Sequence, residues 1–429
     1  MAPAARTPAP GPSTPPAPAP AARRARAAVS GLFLVNAVLY ANLVPRLPEV
    51  KDRLELTNAA FGAGIAAMPL GALLAGLAAP VLIRRFGSGP LASVGLVLLS
   101  LAVLAVPFAG SWWAFAGALL LAGAFDSVVD VAQNAHGFRV QRLYGRSIVN
   151  AFHGLWSVGA VLGGLLGSLA AGLDVPLGLH LAVVAGVFSA VALVGLRFLL
   201  PGPEDAERAE APAATDDEAP ARRGLGTAAR GTLRLLAVLG LLALCGALVE
   251  DAGASWGALW MRDGLGAAPA LAGLAFVALM VAMTLGRLTG DRVVDRLGQV
   301  TVGRVGGVLV TVGLGTMLAF PSVATTLVGF ALAGLGVATL IPAAMHAADE
   351  IPGLPHGLGL TVVSWLLRVG FLASPPLVGL LADAVGLRVG LLLVVVGGAL
   401  TIVLAPALGR PHAAVAVAAA RREAAPTRD

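Results

Sequence analysis

The sequence predicts an all-α membrane protein whose twelve transmembrane helices form two pseudo-symmetric six-helix bundles. Three observations carry that expectation. The 429-residue chain is 58% hydrophobic, holds 55 glycines and is only 12% charged, roughly half the charged share of a soluble domain. Its apolar residues fall into twelve runs, each near the ~20 residues that cross a bilayer as helix. The runs divide six and six around one acidic stretch, and motifs recur about 212 positions apart. No water-exposed surface absorbs so much apolar side chain, which excludes a soluble enzyme or binding module.

From the N-terminus, residues 1–27 hold eight prolines before position 21 and then Arg23, Arg24 and Arg26. A Pro/Ala stretch has little to bury, so a disordered cytoplasmic tail is expected. Spans 1 to 6 follow at 28–47, 58–83, 88–109, 112–136, 148–172 and 176–200. The first is expected to act as a signal anchor, since no short apolar region ends in a small-residue cleavage site. Residues 201–231 carry Glu204, Asp205, Glu207, Glu210, Asp216, Asp217 and Glu218 and read as a cytoplasmic linker. Spans 7 to 12 are expected at 232–256, 268–292, 300–320, 322–347, 357–383 and 386–408. The Ala- and Arg-rich segment 409–429 is a second cytoplasmic tail.

The net charge of +6 invites a nucleic-acid reading, but the positions of the charges argue for membrane topology. With both termini and the linker in the cytoplasm, 23 of the 29 Lys/Arg lie on the inner side and five outside: Arg46, Lys51, Arg53, Arg262 and Arg388. That asymmetry fits the preference of basic loops for the cytoplasm. The remaining one, Arg368, falls inside span 11. The lone cysteine, Cys245, allows no disulfide framework and no Cys-based metal site.

The two halves repeat each other. Arg84-Arg85-Phe86-Gly87 after span 2 is matched 211 positions later by Asp295-Arg296-Leu297-Gly298 after span 8, and Gly167 by Gly379 at 212. Parallel repeats of six helices enclose a cavity at the midplane. Twelve spans in two halves, a long central loop and a basic Gly motif after spans 2 and 8 resemble the major facilitator superfamily. Gly290 with Asp295-Arg296-Leu297-Gly298 is similar to that family's loop signature. The first-half copy departs from it, with Arg84 where the family has Asp and Pro80 where it has Gly. The resemblance implies a conformational latch at Arg84, Arg85, Gly87, Gly290, Asp295, Arg296 and Gly298, weakened in the N-terminal half. Further stretches resemble a fucose-permease-like bacterial branch: Arg46-Leu47-Pro48 before Asp52, Asp130 to Asn134, Phe152 to Ser157, and Trp256 after Glu250.

Charged side chains in a bilayer cost about 2.5–3.5 kcal/mol even on the lenient insertion scale, so each one within a span is a candidate. Asp126, Asp130 and Asn134 sit at i, i+4 and i+8 of span 4 and share one helical face. They read either as a proton or substrate site or as a tie to the basic 4–5 loop. Arg368 lies near the middle of span 11 and needs an anionic partner, either a substrate group or a span 4 aspartate. Glu250 and Asp251 fall near the outer end of span 7, where a solvated position is the default and a cavity-facing Glu250 the alternative. His153 is a packing residue or a proton relay. Asn36, Tyr40 and Asn42 are expected to line the cavity. Trp156 and Trp365 fall at an interface or beside the cavity. Gly159, Gly163, Gly164 and Gly167 form a small-residue stripe for close helix approach.

These readings point to a secondary transporter working by alternating access and not to an enzyme. With Lys51 as its only lysine the chain has no phosphate loop, so an ion or proton gradient is the expected driver, with no cofactor. Proton-coupled import of a sugar or small anionic metabolite by a monomer in the cytoplasmic membrane is favoured, Asp126 carrying the proton. The alternative is proton-coupled efflux of a drug-like amphiphile. The partners expected are the small-molecule substrate, the proton and the lipid bilayer, and not nucleic acid.

Overall fold

A computed structural model describes residues 20–144, 148–202, 204, 227–351, 354 and 357–409. Among the described residues all regular structure is helical. Twelve helical segments are long and apolar enough to cross a membrane: Pro20–Arg53, Asn58–Gly76, Ser88–Phe108, Trp112–Tyr144, Val149–Gly172, Leu177–Leu196, Gly231–Ser255, Pro269–Leu297, Gln299–Ala319, Val323–Asp349, Leu358–Val385 and Leu387–Gly409. They correspond in order to spans 1 to 12.

Two boundaries correct the sequence expectation. The first helix starts at Pro20, inside the stretch expected to be a disordered tail, and buries Ala22 and Ala25. Proline is tolerated in a first turn because its missing N–H has no helical partner there. Span 4 continues to Tyr144, beyond the expected end at residue 136. On that extension Arg139 is buried, donates to the Pro201 carbonyl at 3.0 Å and pairs with Glu204 at 3.5 Å. Glu204 in turn accepts the Ser88 N–H at 2.6 Å, at the first turn of span 3. The beginning of the linker is thus folded onto spans 3 and 4, while the rest of the linker up to residue 226, residues 1–19 and residues 410–429 lie outside the described residues.

The halves share one packing plan. Spans 1 and 5 pair as 7 and 11 do, spans 2 and 4 as 8 and 10, and spans 3 and 6 as 9 and 12. The repeat extends to the backbone. Gly87 before span 3 has φ 80° and ψ 151°, and Gly298 before span 9 has φ 78° and ψ 152°. Only glycine adopts that region without strain. In the first half, Gly159, Gly163 and Gly167 of span 5 lie directly on the carbonyls of Leu34, Val38 and Asn42 of span 1. Both sets step by four residues, so two helix backbones run in contact over two turns, as small-residue interfaces allow.

Contacts between the halves gather at the end that carries the 1–2, 7–8 and 11–12 connections. Span 2 packs on span 11 and span 5 on span 8. Gly62 abuts the Pro375 carbonyl, Gly379 abuts the Asn58 carbonyl, and Phe61 meets Trp256 edge-on at 5.7 Å between ring centres. Asp383 of span 11 accepts the Asn58 and Ala59 N–H groups at 2.9 and 2.8 Å, while the Thr57 hydroxyl oxygen accepts that of Ala60. Three amides left open by the first turn of span 2 are thereby satisfied, two of them from the opposite half. Arg262 closes the same end with two bonds to Asp52, at 2.7 and 3.0 Å. Toward the other end Asp130, His153, Arg287 and Arg368, from spans 4, 5, 8 and 11, are all exposed. The bundle is closed at one end and open at the other.

Candidate functional site

Below the closed end the two halves enclose a cavity of about 360 Å³. Its polar lining comes from four spans of the first and second halves: Asn36 and Tyr40 on span 1, Asp126 on span 4, Trp156 on span 5, and Glu250 with Asp251 on span 7. Arg368 on span 11 completes it. The rest is apolar and partly aromatic, with Ile65, Met68, Phe276, Met280 and Phe371.

A hydrogen-bonded chain holds the first-half side. The Trp156 indole N–H donates to Asn36 Oδ1 at 2.8 Å, and Asn36 Nδ2 donates to Asp126 Oδ1 at 2.7 Å. Spans 1, 4 and 5 are joined at one amide, whose donor and acceptor are both used. The bond occupies one carboxylate oxygen of Asp126, a residue that also lines the cavity. Tyr40 lines the same cavity and lies within electrostatic range of both Asp126 and Asp251.

The second-half side is arranged differently. Asp251 accepts the hydroxyls of Ser255 at 2.7 Å and Ser374 at 2.7 Å. Glu250 pairs with Arg287 of span 8 at 3.6 Å. Arg368 makes no hydrogen bond or ion pair within contact distance among the described residues, although Asp130 feels its charge. An unpaired guanidinium at a cavity wall is a ready donor for a carboxylate, phosphate or hydroxyl oxygen.

Six candidates from the sequence therefore meet at the cavity: Asn36, Tyr40, Asp126, Trp156, Glu250 and Arg368. Four do not line it. Asp130 and Asn134 bond to each other at 3.0 Å, one and two turns nearer the open end. His153 is exposed and meets the Phe33 ring edge-on at 5.2 Å. Trp365 is 45% exposed away from the lining. Asn42, expected to line the cavity, instead packs inside the first half, donating to the Val38 carbonyl at 2.8 Å and facing His180 at 3.0 Å. Arg46 is likewise no solvated loop charge: it is 2% exposed and held by Glu49 and the Val175 carbonyl. The residue that sequence reasoning underrated is Asp251. Its serine four positions on was a local hint, but Ser374 is 123 positions away.

Gly253-Ala254-Ser255-Trp256-Gly257 spells the Gly-x-Ser-x-Gly pattern of hydrolases. That pattern needs a sharp turn between a strand and a helix to expose its serine. Here Ser255 ends a long helix and is buried against Asp251, so the match carries no nucleophile.

Of the residues expected to form a latch, Gly87 and Gly298 hold the positive φ already given, and Gly290 packs against Thr339 of span 10. Arg84, Arg85, Asp295 and Arg296 are exposed at the open end.

Comparison with known proteins places this geometry. A family model described as Major Facilitator Superfamily matches residues 29–250 and 236–428. The chain is 29% identical over 380 residues to the uncharacterized transporter y4wD of Sinorhizobium fredii, covering 89% of this chain and 97% of that one. It is 29% identical to the membrane protein MosC of Rhizobium meliloti, covering 86% and 87%. Among solved structures, the nucleoside transporter NupG superposes with a TM-score of 0.68 at 13% identity, covering 90% of this chain and 98% of that one. The D-xylose-proton symporter gives 0.67 at 13% identity, covering 90% and 96%. At such identities the superpositions speak for the fold alone.

Proposed function

Because the chain belongs to the Major Facilitator Superfamily, and is a multi-pass secondary transporter and not an enzyme, we propose that it imports a small polar solute together with protons across the cytoplasmic membrane. Its termini face the cytoplasm and it works as a monomer, with the two halves rocking about the cavity. In that orientation the closed end is extracellular and the open end cytoplasmic.

The observation that carries this reading is the pairing, in one cavity, of a carboxylate with a free oxygen and an arginine without a partner. Asp126 takes the proton. Ionised, it accepts from Asn36 and from a solute hydroxyl; protonated, it removes a charge that would otherwise cross the membrane at a cost of several kcal/mol. Arg368 donates to an oxygen of the solute. Trp156 and Phe371 offer faces against which a sugar ring or small carboxylated metabolite packs.

A second reading, export of an amphiphile by proton exchange, draws on the apolar wall of Ile65, Met68, Phe276, Met280 and Phe371. Tryptophan fluorescence separates the two. On titration with monosaccharides, small carboxylates and hydrophobic cations, import predicts that a sugar or carboxylate quenches the signal and that Trp156→Phe abolishes the quench. A response to hydrophobic cations alone overturns the import reading in favour of export.

A further inference from the structure

Asp251 is the cavity acid that the reading above leaves unused, and its surroundings set it apart. It is 9% exposed on span 7. Its two carboxylate oxygens each accept a serine hydroxyl at 2.7 Å, one from Ser255 a turn along the same helix and one from Ser374 on span 11. Both serines are buried. Each hydroxyl has one hydrogen and gives it to the carboxylate, an arrangement matched to the ionised acid, which only accepts.

Ser374 stands beside the joint that closes the outer end. The next residue, Pro375, sets its carbonyl against Gly62 of span 2, and further along the same helix Gly379 lies on Asn58 and Asp383 caps the first turn of span 2. The Ser374 bond thus connects a cavity carboxylate to the helix whose backbone is locked onto the other half. Resting on the proton-coupled reading, we propose that Asp251 is a second proton-binding site, and that its protonation releases span 11 from span 7 and opens the outer end.

The proton comes from cavity water and bonds to one carboxylate oxygen, taking Asp251 from one negative charge to neutral. It returns to water on the opposite side once the open end has changed. The protonated oxygen becomes a donor, so one serine hydroxyl meets a hydrogen in place of a lone pair and must turn away. The groups facing Asp251 are Tyr40 and Asp126 in the first half, Glu250 beside it on span 7 with its partner Arg287, and Arg368 on span 11. A proton on Asp126 or Glu250 alters the field at Asp251, and the test separates Asp126 from it.

Cys245 is the sole cysteine, so Cys245→Ser gives a clean background for Leu173→Cys and Phe320→Cys, both exposed and at the outer ends of spans 5 and 9. Spin labels there report the outer opening by pulsed paramagnetic resonance, in lipid and without solute, at about pH 5 and about pH 8, below and above neutrality. Acidification is expected to raise the ratio of outer-open to outer-closed molecules about tenfold, the effect of losing one charge-assisted hydrogen bond. Asp251→Asn is expected to be outer-open at both pH values, its response under about twofold because the carboxamide carries no titrating charge. Ser374→Ala, which leaves the acid in place, is expected to raise the outer-open population at the higher pH. The proposal is overturned by a full parental response in Asp251→Asn, or by parental populations in Ser374→Ala. If Asp126→Asn alone abolishes the response while Asp251→Asn retains it, Asp251 is structural and the transport reading stands. If the parent does not respond and no solute moves protons, the proton-coupled reading falls and takes this proposal with it.

Discussion

Asp383→Ala removes the carboxylate through which the second half closes span 2. Two amides, Asn58 N–H at 2.9 Å and Ala59 N–H at 2.8 Å, lose their acceptor. A missing N-cap costs about 1 kcal/mol, and a hydrogen bond to a charged group is worth about 1.5–3 kcal/mol. Asp383 is exposed, so water replaces part of each bond and about 1–2 kcal/mol is the appropriate figure. These bonds join the two halves at the closed end, so on the proposed alternating-access reading their loss moves the equilibrium about 5- to 30-fold toward molecules open at that end. In the Cys245→Ser background, Ile65→Cys places a thiol on the cavity wall from span 2. Its rate of alkylation by a membrane-impermeant maleimide added outside measures that population. A rate rise of that size is expected. A rate within about twofold of the parent, in a variant that remains monodisperse, would refute the claim that this cap holds the end shut.

The other expected outcomes are smaller or of a different kind. Arg262→Ala breaks the pair with Asp52, but both groups are solvent-accessible, so about 0–1 kcal/mol and no more than about a fivefold rise in the same labelling rate is expected. Gly163→Leu sets a side chain against the Val38 carbonyl and the Asn42 N–H. Overpacking there costs about 1–3 kcal/mol or more, seen as a lower melting temperature, whereas Gly117→Ala, with open space for the added methyl, does not lower it. Asn36→Leu strips Asp126 of its donor and the Trp156 indole of its acceptor. Two groups left unpaired cost about 1–3 kcal/mol each, so both melting temperature and solute-driven proton uptake fall, while Trp156→Phe, which spares the Asn36–Asp126 bond, loses less of each.

Hydropathy made the twelve spans and the six-plus-six division legible, because a bilayer imposes a length on every helix that crosses it. The small-residue stripe of span 5 was legible for a similar reason: close approach of two backbones demands a fixed spacing. Helical periodicity also identified the face of span 4 that points inward. It gave no depth along that face. Asp126 reaches the cavity, while Asp130 and Asn134 lie one and two turns nearer the open end, and Trp365 misses the lining by about the same margin from Arg368. Depth depends on where the two halves touch, and those contacts join residues such as Asn58 and Asp383, 325 positions apart. Asp251 was underrated for the same reason, since the hydroxyl that pairs it with span 11 comes from a distant part of the chain. The early start of the first helix was not legible because seven prolines dominate the composition just before it.

Solute-driven proton movement tests the central claim most directly. Purified protein in weakly buffered vesicles would receive monosaccharides and small carboxylates in turn while external pH is recorded, with Asp126→Asn and Arg368→Ala beside the parent. The account predicts external alkalinisation with one solute class in the parent, loss of proton movement in Asp126→Asn with solute exchange retained, and loss of both in Arg368→Ala. Solute uptake accompanied by no pH change, or by the same change in Asp126→Asn as in the parent, would contradict it.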